Sequence, residues 1–100
     1  MEADQWLAPE IDRITGELYR KANHAEMAEE CLKRGVATAS RQKARLLELR
    51  ASMGLARLWR DQGKVQEARE LLAPVYGWFT EGFDTRDLKD AKALLEELAS

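Results

Sequence analysis

The sequence predicts an all-α fold in which two antiparallel helix pairs lie side by side and a fifth helix closes the end. Three observations carry that expectation. Apolar residues recur at helical spacing along nearly the whole chain, and only two Pro and six Gly interrupt it. A shift of 40 residues lays one half on the other, so that Leu18, Arg20, Ala28, Glu30 and Leu32 meet Leu58, Arg60, Ala68, Glu70 and Leu72. One hundred residues suffice for a single small domain spanning residues 1–100, with a modest core and no room for a second.

The first helix is expected from about Pro9 to Ala22, since proline suits a first helical turn where its missing N–H costs nothing. Ile11, Ile14, Thr15, Leu18 and Ala22 give its apolar spacing. Residues 1–8 read as a short lead-in, with Trp6 and Leu7 folding back on that helix. After a break at Asn23-His24, a second helix from about Ala25 to Ser40 places Ala28, Cys31, Leu32, Gly35 and Ala39 on one face. Gly35 costs roughly 1 kcal/mol of helix propensity relative to Ala unless a neighbouring backbone needs the space.

Ser40-Arg41-Gln42 marks the turn into the third helix, about Lys43 to Gln62, which Gly63 ends as a left-handed cap. Across that turn, Leu55, Ala56, Leu58 and Trp59 are expected to face Val65, Ala68, Leu71 and Leu72 of the fourth helix. Pro74 falls within the apolar face of the fourth helix and should kink it, with Val75, Tyr76 and Phe79 continuing the period. The fifth helix, about Thr85 to Ala99, begins with Asp84 as cap, Asp87 three residues on, and Phe83 with Leu88 as a hydrophobic staple. Its face of Leu88, Ala91, Leu94/Leu95 and Leu98 suits a cover for the open end of a stack.

Composition narrows the class of function. Sixteen Lys+Arg against eighteen Asp+Glu leave a net charge of -2, which provides no global field for nucleic acid or an anionic membrane. Residues 41–60 nonetheless hold six basic and one acidic side chain, against five and eight in residues 1–40 and five and nine in residues 61–100. The single cysteine, Cys31, excludes an internal disulfide and fits a reducing compartment. The acidic start has no signal-peptide character, and the longest apolar run, Leu71 to Phe79, falls far short of the roughly 20 residues a membrane span needs. A cytoplasmic location is expected.

The aligned halves also match in kind where they differ in identity: Gly16 meets Ala56, Tyr19 meets Trp59 and Asn23 meets Gly63. A small residue where helices cross, an aromatic beside it, a turn former, then Ala and Leu on the return helix is a pattern that resembles the tetratricopeptide repeat (TPR) family. The resemblance covers residues 9–80 as two repeats, 9–40 and 43–80, with 84–99 as a capping helix. It implies a right-handed array and a protein-interaction role. The chain departs from the family pattern in its period of 40 rather than 34, which requires longer helices or a longer turn between repeats. It also departs at Thr15, where a large apolar residue is usual, and at Gly35 and Val75, where Ala is usual. Residues 48–98 are similar to the C-terminal tails of bacterial signalling proteins that join a class III adenylate or guanylate cyclase, or a regulatory ATPase domain, to a TPR array. Met1 is compatible with a free-standing chain or a piece of such a protein.

The resemblance implies that the first helix of each pair lines a concave groove, at Glu10, Arg13, Glu17, Arg20 and Lys21, then Arg50, Met53, Arg57, Arg60 and Asp61. Arg13 and Arg20 share a helix face, as do Arg50 and Arg57, and guanidinium forks there could bind carboxylates of an acidic or C-terminal peptide bidentately. The alternative is a solvated face in which Glu17 pairs with Arg13 or Arg20. The asparagines of the family's carboxylate-clamp subclass are absent. A second functional alternative is a helical DNA-binding domain using the basic 41–60 helix.

His24 and Cys31 have no second His or Cys to complete a metal site or a nucleophilic pair, and Glu26, Glu29 and Glu30 have no partner carboxylate in an apolar pocket. These read as a turn histidine, a core thiol and surface acids, so neither an enzyme nor a cofactor is expected. Trp59 and Phe79 read as core; an exposed Trp78 would indicate a contact surface. Two repeats are fewer than the three a stack usually needs, so a homodimer through the uncapped first hairpin is expected.

Overall fold

Helix-forming residues run between short polar breaks, and the chain folds as those breaks dictate. The computed structural model describes residues 2–99, with side chains from Leu7 onward. Five helices are present among them: α1 (Glu2–Lys21), α2 (Ala25–Arg41), α3 (Arg45–Asp61), α4 (Val65–Gly77) and α5 (Arg86–Ala99).

The first three junctions are the same turn written three times. Asn23, Lys43 and Gly63, spaced 20 apart, each take positive φ, at 65°, 58° and 81°. The following amide reaches back to the helix, from His24 N to Tyr19 O at 2.8 Å, Ala44 N to Ala39 O at 2.9 Å and Lys64 N to Trp59 O at 2.7 Å. This is a left-handed helix cap that satisfies terminal carbonyls while reversing the chain. Two 17-residue helices, α2 and α3, with their three-residue turns account for the 40-residue period. Long helices, rather than a long turn between the pairs, set that period.

Each helix packs on the next; α3 also packs on α1 and on α5, whereas α2 and α4 make no approach. The odd-numbered helices therefore form one layer and the even-numbered helices splay apart on the other side. Ala56 and Ala68, both fully buried, lie in one cluster with Leu49, Met53 and Leu72 and with Leu88, Ala91, Leu94 and Leu98 of α5. A second cluster joins Ala28 and Leu32 to Leu55 and Leu58, and Trp59 packs against both. The α2 and α5 faces are buried as their spacing indicates.

Small residues let the layers approach. A Cβ on Gly16 would lie 2.6 Å from Leu32 Cγ, and one on Gly54 would lie 2.8 Å from Leu32 Cδ2. Leu32 of α2 is thus wedged between α1 and α3. Gly35 meets the Pro9 carbonyl at 3.3 Å from its would-be Cβ, so a neighbouring backbone does claim that space.

Four expectations are corrected. The lead-in is helical, and Pro9 is an interior residue of α1 whose ring is fully buried; helix formers such as Ala3, Gln5, Leu7 and Ala8 extend the helix through a residue that can give up one backbone donor. Leu7 points outward rather than folding back, and the side chain of Trp6 lies outside those described. Pro74 sits on the solvent side of α4, which continues to Gly77, so Phe79 lies beyond the helix. At α5 the cap residue is Thr85, whose carbonyl accepts from Lys89 N and whose hydroxyl donates to Gly82 O at 2.7 Å. Asp84 makes no capping bond, and Phe83 tilts against Tyr76 at 5.9 Å between ring centroids.

Candidate functional site

The helical register of α3 brings Arg50, Met53, Arg57 and Arg60 to the side that faces both α1 and α5. Arg13, Arg50, Met53 and Arg57 line one open cleft of about 360 Å³, which Arg86, Asp87 and Asp90 of α5 complete. A neighbouring hollow of about 290 Å³ lies between α3 and α5, with Arg57 and Arg60 on one wall and Asp90 and Glu97 on the other. Met53 is buried and belongs to the core as well as to the cleft floor.

Most of the arginines in this face have internal partners, organised as two ladders that cross all three helices. In the first, Arg13 Nε donates to Glu10 at 2.9 Å, Arg50 Nη1 lies 3.6 Å from the same carboxylate, and Arg50 Nη2 donates to Asp87 at 3.0 Å. In the second, Arg20 bridges Glu17 at 3.0 Å and Asp61 at 3.1 Å, and Arg60 bridges Asp61 at 3.2 Å and Glu97 at 3.3 Å. The Asp87 hydrogen bond raises the Arg50 pKa against the opposing effect of burial. The Glu17 hydrogen bond does the same for Arg20. Both guanidiniums are held charged.

Arg57 sits between the ladders and makes no hydrogen bond or ion pair with any described residue. It is half-buried and lines both hollows. A guanidinium in that position retains its full set of donors, whereas its neighbours have committed part of theirs to carboxylates. Lys21 lies exposed at the end of α1, away from both hollows. Glu17 turns Oε2 to Arg20 and leaves buried Oε1 against the open flank of Gly54, without a partner.

Sequence reasoning missed the α5 contribution. The sequence marks Asp87 only as a helix-start residue and gives Asp90 and Glu97 no place in a site; only the docking of α5 on α3 brings them opposite the arginines of α3. The available signal was the mismatch between a strongly basic 41–60 segment and an acidic 61–100 segment.

The remaining candidates fall elsewhere. His24 is exposed at its turn, edge-on to Tyr19 at 6.1 Å, and Cys31 is buried. Among the described residues no group of His, Cys, Asp or Glu could hold a metal ion, and no helix is long and apolar enough to cross a membrane. Trp59 and Phe79 are half-buried against the core. Trp78 is 56% exposed, with the Arg45 guanidinium 5.0 Å from its ring centroid. No protein-family model, curated protein or solved structure matches the chain.

Proposed function

We propose that this chain is a TPR-like interaction module whose α1–α3–α5 layer holds a carboxylate-bearing segment of a partner protein. The observation that carries the reading is Arg57, a guanidinium with free donors between two ion-pair ladders. The ladders stiffen the walls, so the groove is preformed and little ordering cost falls on binding. Arg57 then supplies a bidentate fork to one carboxylate, Met53 an apolar floor, and Asp90 a place for a basic residue of the same partner. No bond is made or broken. The adjacency of odd-numbered helices and the separation of α2 from α4 support the TPR-like reading.

A DNA-binding role for residues 41–60 is the weaker reading, because carboxylates already engage Arg45, Arg50 and Arg60 and would have to be displaced by phosphates.

The test is fluorescence polarisation against an array of acidic internal and C-terminal peptides, using wild type, Arg57→Glu and Arg57→Glu/Arg60→Glu. Peptides that bind wild type should lose about tenfold to a hundredfold in affinity with Arg57→Glu, the range for a charge-assisted hydrogen-bonded pair. Equal binding by all three proteins would remove the groove from consideration.

A further inference from the structure

The apolar residues of α1 do not face the core. Leu7, Ile11, Ile14 and Leu18 are 59%, 57%, 49% and 64% exposed, while the inward side of the same helix is made by Pro9 and Gly16. The exposed four follow one another at spacings of four, three and four, the alternation of a two-helix seam. They are flanked on one side by the short side chains Ala8, Thr15 and Ala22, which leave room for a second helix to approach closely.

The internal repeat says what such a surface is built to do. Forty residues on, the equivalent positions in α3 are Leu47, Ala51, Gly54 and Leu58, of which the last three are buried. They are buried because a helix pair lies on them. Leu58 packs with Ala28 and Leu32, and Gly54 faces Glu17 and Leu32, all from α1 and α2. The α1 stripe is the same docking surface without its occupant.

We infer that the occupant is the α1 stripe of a second copy of this chain, paired about a two-fold axis. A head-to-tail stack would have to seat the opposite end of another copy on α1, and that end presents the polar side of α5, with Lys89 and Lys92 exposed. Charged groups on an apolar stripe would be desolvated without partners. Stripe against stripe is self-complementary, and the two-fold closes the assembly at two. α1 is 20 residues long, about 30 Å, so a single helix pair gives an interface near the small end of specific ones. A dissociation constant in the micromolar range is expected. The seam is separate from the α1–α3–α5 cleft, so the dimer stands or falls independently of peptide binding.

Sedimentation equilibrium of the full chain from about 1 to 500 μM tests it, with Ile11→Asp/Ile14→Asp as the variant. Wild type should pass from monomer to dimer, and the variant should stay monomeric with an unchanged helical circular-dichroism spectrum, since both positions are exposed. Ile14→Cys supplies a readout that does not depend on tolerating charge: a disulfide-linked dimer should form under air, and Lys92→Cys on α5 should give none. A monomeric wild type at 500 μM, open-ended association beyond the dimer, or cross-linking equal at both cysteines would each overturn the inference. Arg57→Glu should dimerise like wild type.

Discussion

The indole Nε1–H of Trp59 donates to Glu29 Oε1 at 2.6 Å, tying α3 to α2 across thirty positions of chain. Lys33 approaches both partners, 3.7 Å from the carboxylate and 5.9 Å from the indole centroid. The indole hydrogen bond is the main reason the Glu29 pKa lies below its ordinary 4.5, with burial opposing and Lys33 and Lys64 assisting. Because the folded value is depressed, the stabilisation is fully present above the unfolded carboxylate pKa and is lost as pH falls through the folded one. Glu29→Gln should therefore cost about 1 kcal/mol at pH 7, the scale of a partly exposed charged hydrogen bond, and almost nothing near pH 2. Urea unfolding at the two pH values measures the difference; an equal cost at both would mean that the charge is irrelevant to the tie.

Lys43 occupies the left-handed position that Asn23 and Gly63 fill in the equivalent turns. An L-residue with a long side chain pays about 1–2 kcal/mol there, whereas glycine pays chiefly in unfolded-state entropy. Lys43→Gly should raise stability by about 0.5–1 kcal/mol, or roughly 4 °C in melting temperature. Gly63→Ala should lower it by about 1 kcal/mol, although nothing lies within 4 Å of the added methyl. Calorimetry of the pair gives opposite signs if backbone conformation controls these turns.

Gly16 and Leu32 share one volume at the α1–α2 crossing. Gly16→Ala gains about 1 kcal/mol of helix propensity but forces the methyl onto Leu32 Cγ, an overpacking cost of about 1–3 kcal/mol. The expected outcome is net destabilisation of about 1 kcal/mol. Leu32→Ala alone should cost about 2–5 kcal/mol by leaving a cavity, and in that background Gly16→Ala should become neutral or stabilising. A double-mutant cycle by chemical denaturation decides it, since strictly additive effects would mean that the two residues do not compete for space.

Ser52 is fully buried in α3, and its hydroxyl has no hydrogen-bond partner among the described residues. Removing an unsatisfied buried polar atom recovers its desolvation cost, and Ala is the better helix former. Ser52→Ala should stabilise the protein by about 1 kcal/mol, read as a higher urea midpoint at unchanged m-value. A lower midpoint would show that the hydroxyl is satisfied in solution.

Much of this molecule could be read locally. The buried faces of α2 and α5, the Asp61–Lys64 turn and the pairing of Ala56 with Ala68 follow from 3.6-residue periodicity and turn chemistry, which act over a few neighbouring residues. The groove positions on α1 and α3 are what the resemblance of the two halves to a known repeat implies, not something local chemistry indicates. The turn at Lys43 was displaced by a residue or two because lysine carries no left-handed signature; packing of α2 and α3 imposes the conformation. Pro9 was misleading for a related reason, since a helix-start preference yields when good helix formers stand upstream.

Sequence by itself determined how many helices there are, where most of them reverse, and which residues are apolar enough to be worth burying. Tertiary structure decided which of those residues are buried and which charges remain available. Leu18 and Leu58 are the same residue at the same repeat position, yet one is 64% exposed and the other 3%, because α1 and α2 pack over α3. Arg57 differs from Arg50 in nothing its neighbours along the chain reveal, whereas Arg60 has Asp61 beside it. Arg50 and Arg60 both have carboxylate partners 37 residues away on α5, and the docking of that helix leaves Arg57 as the one guanidinium of the three with no ion pair to a described residue.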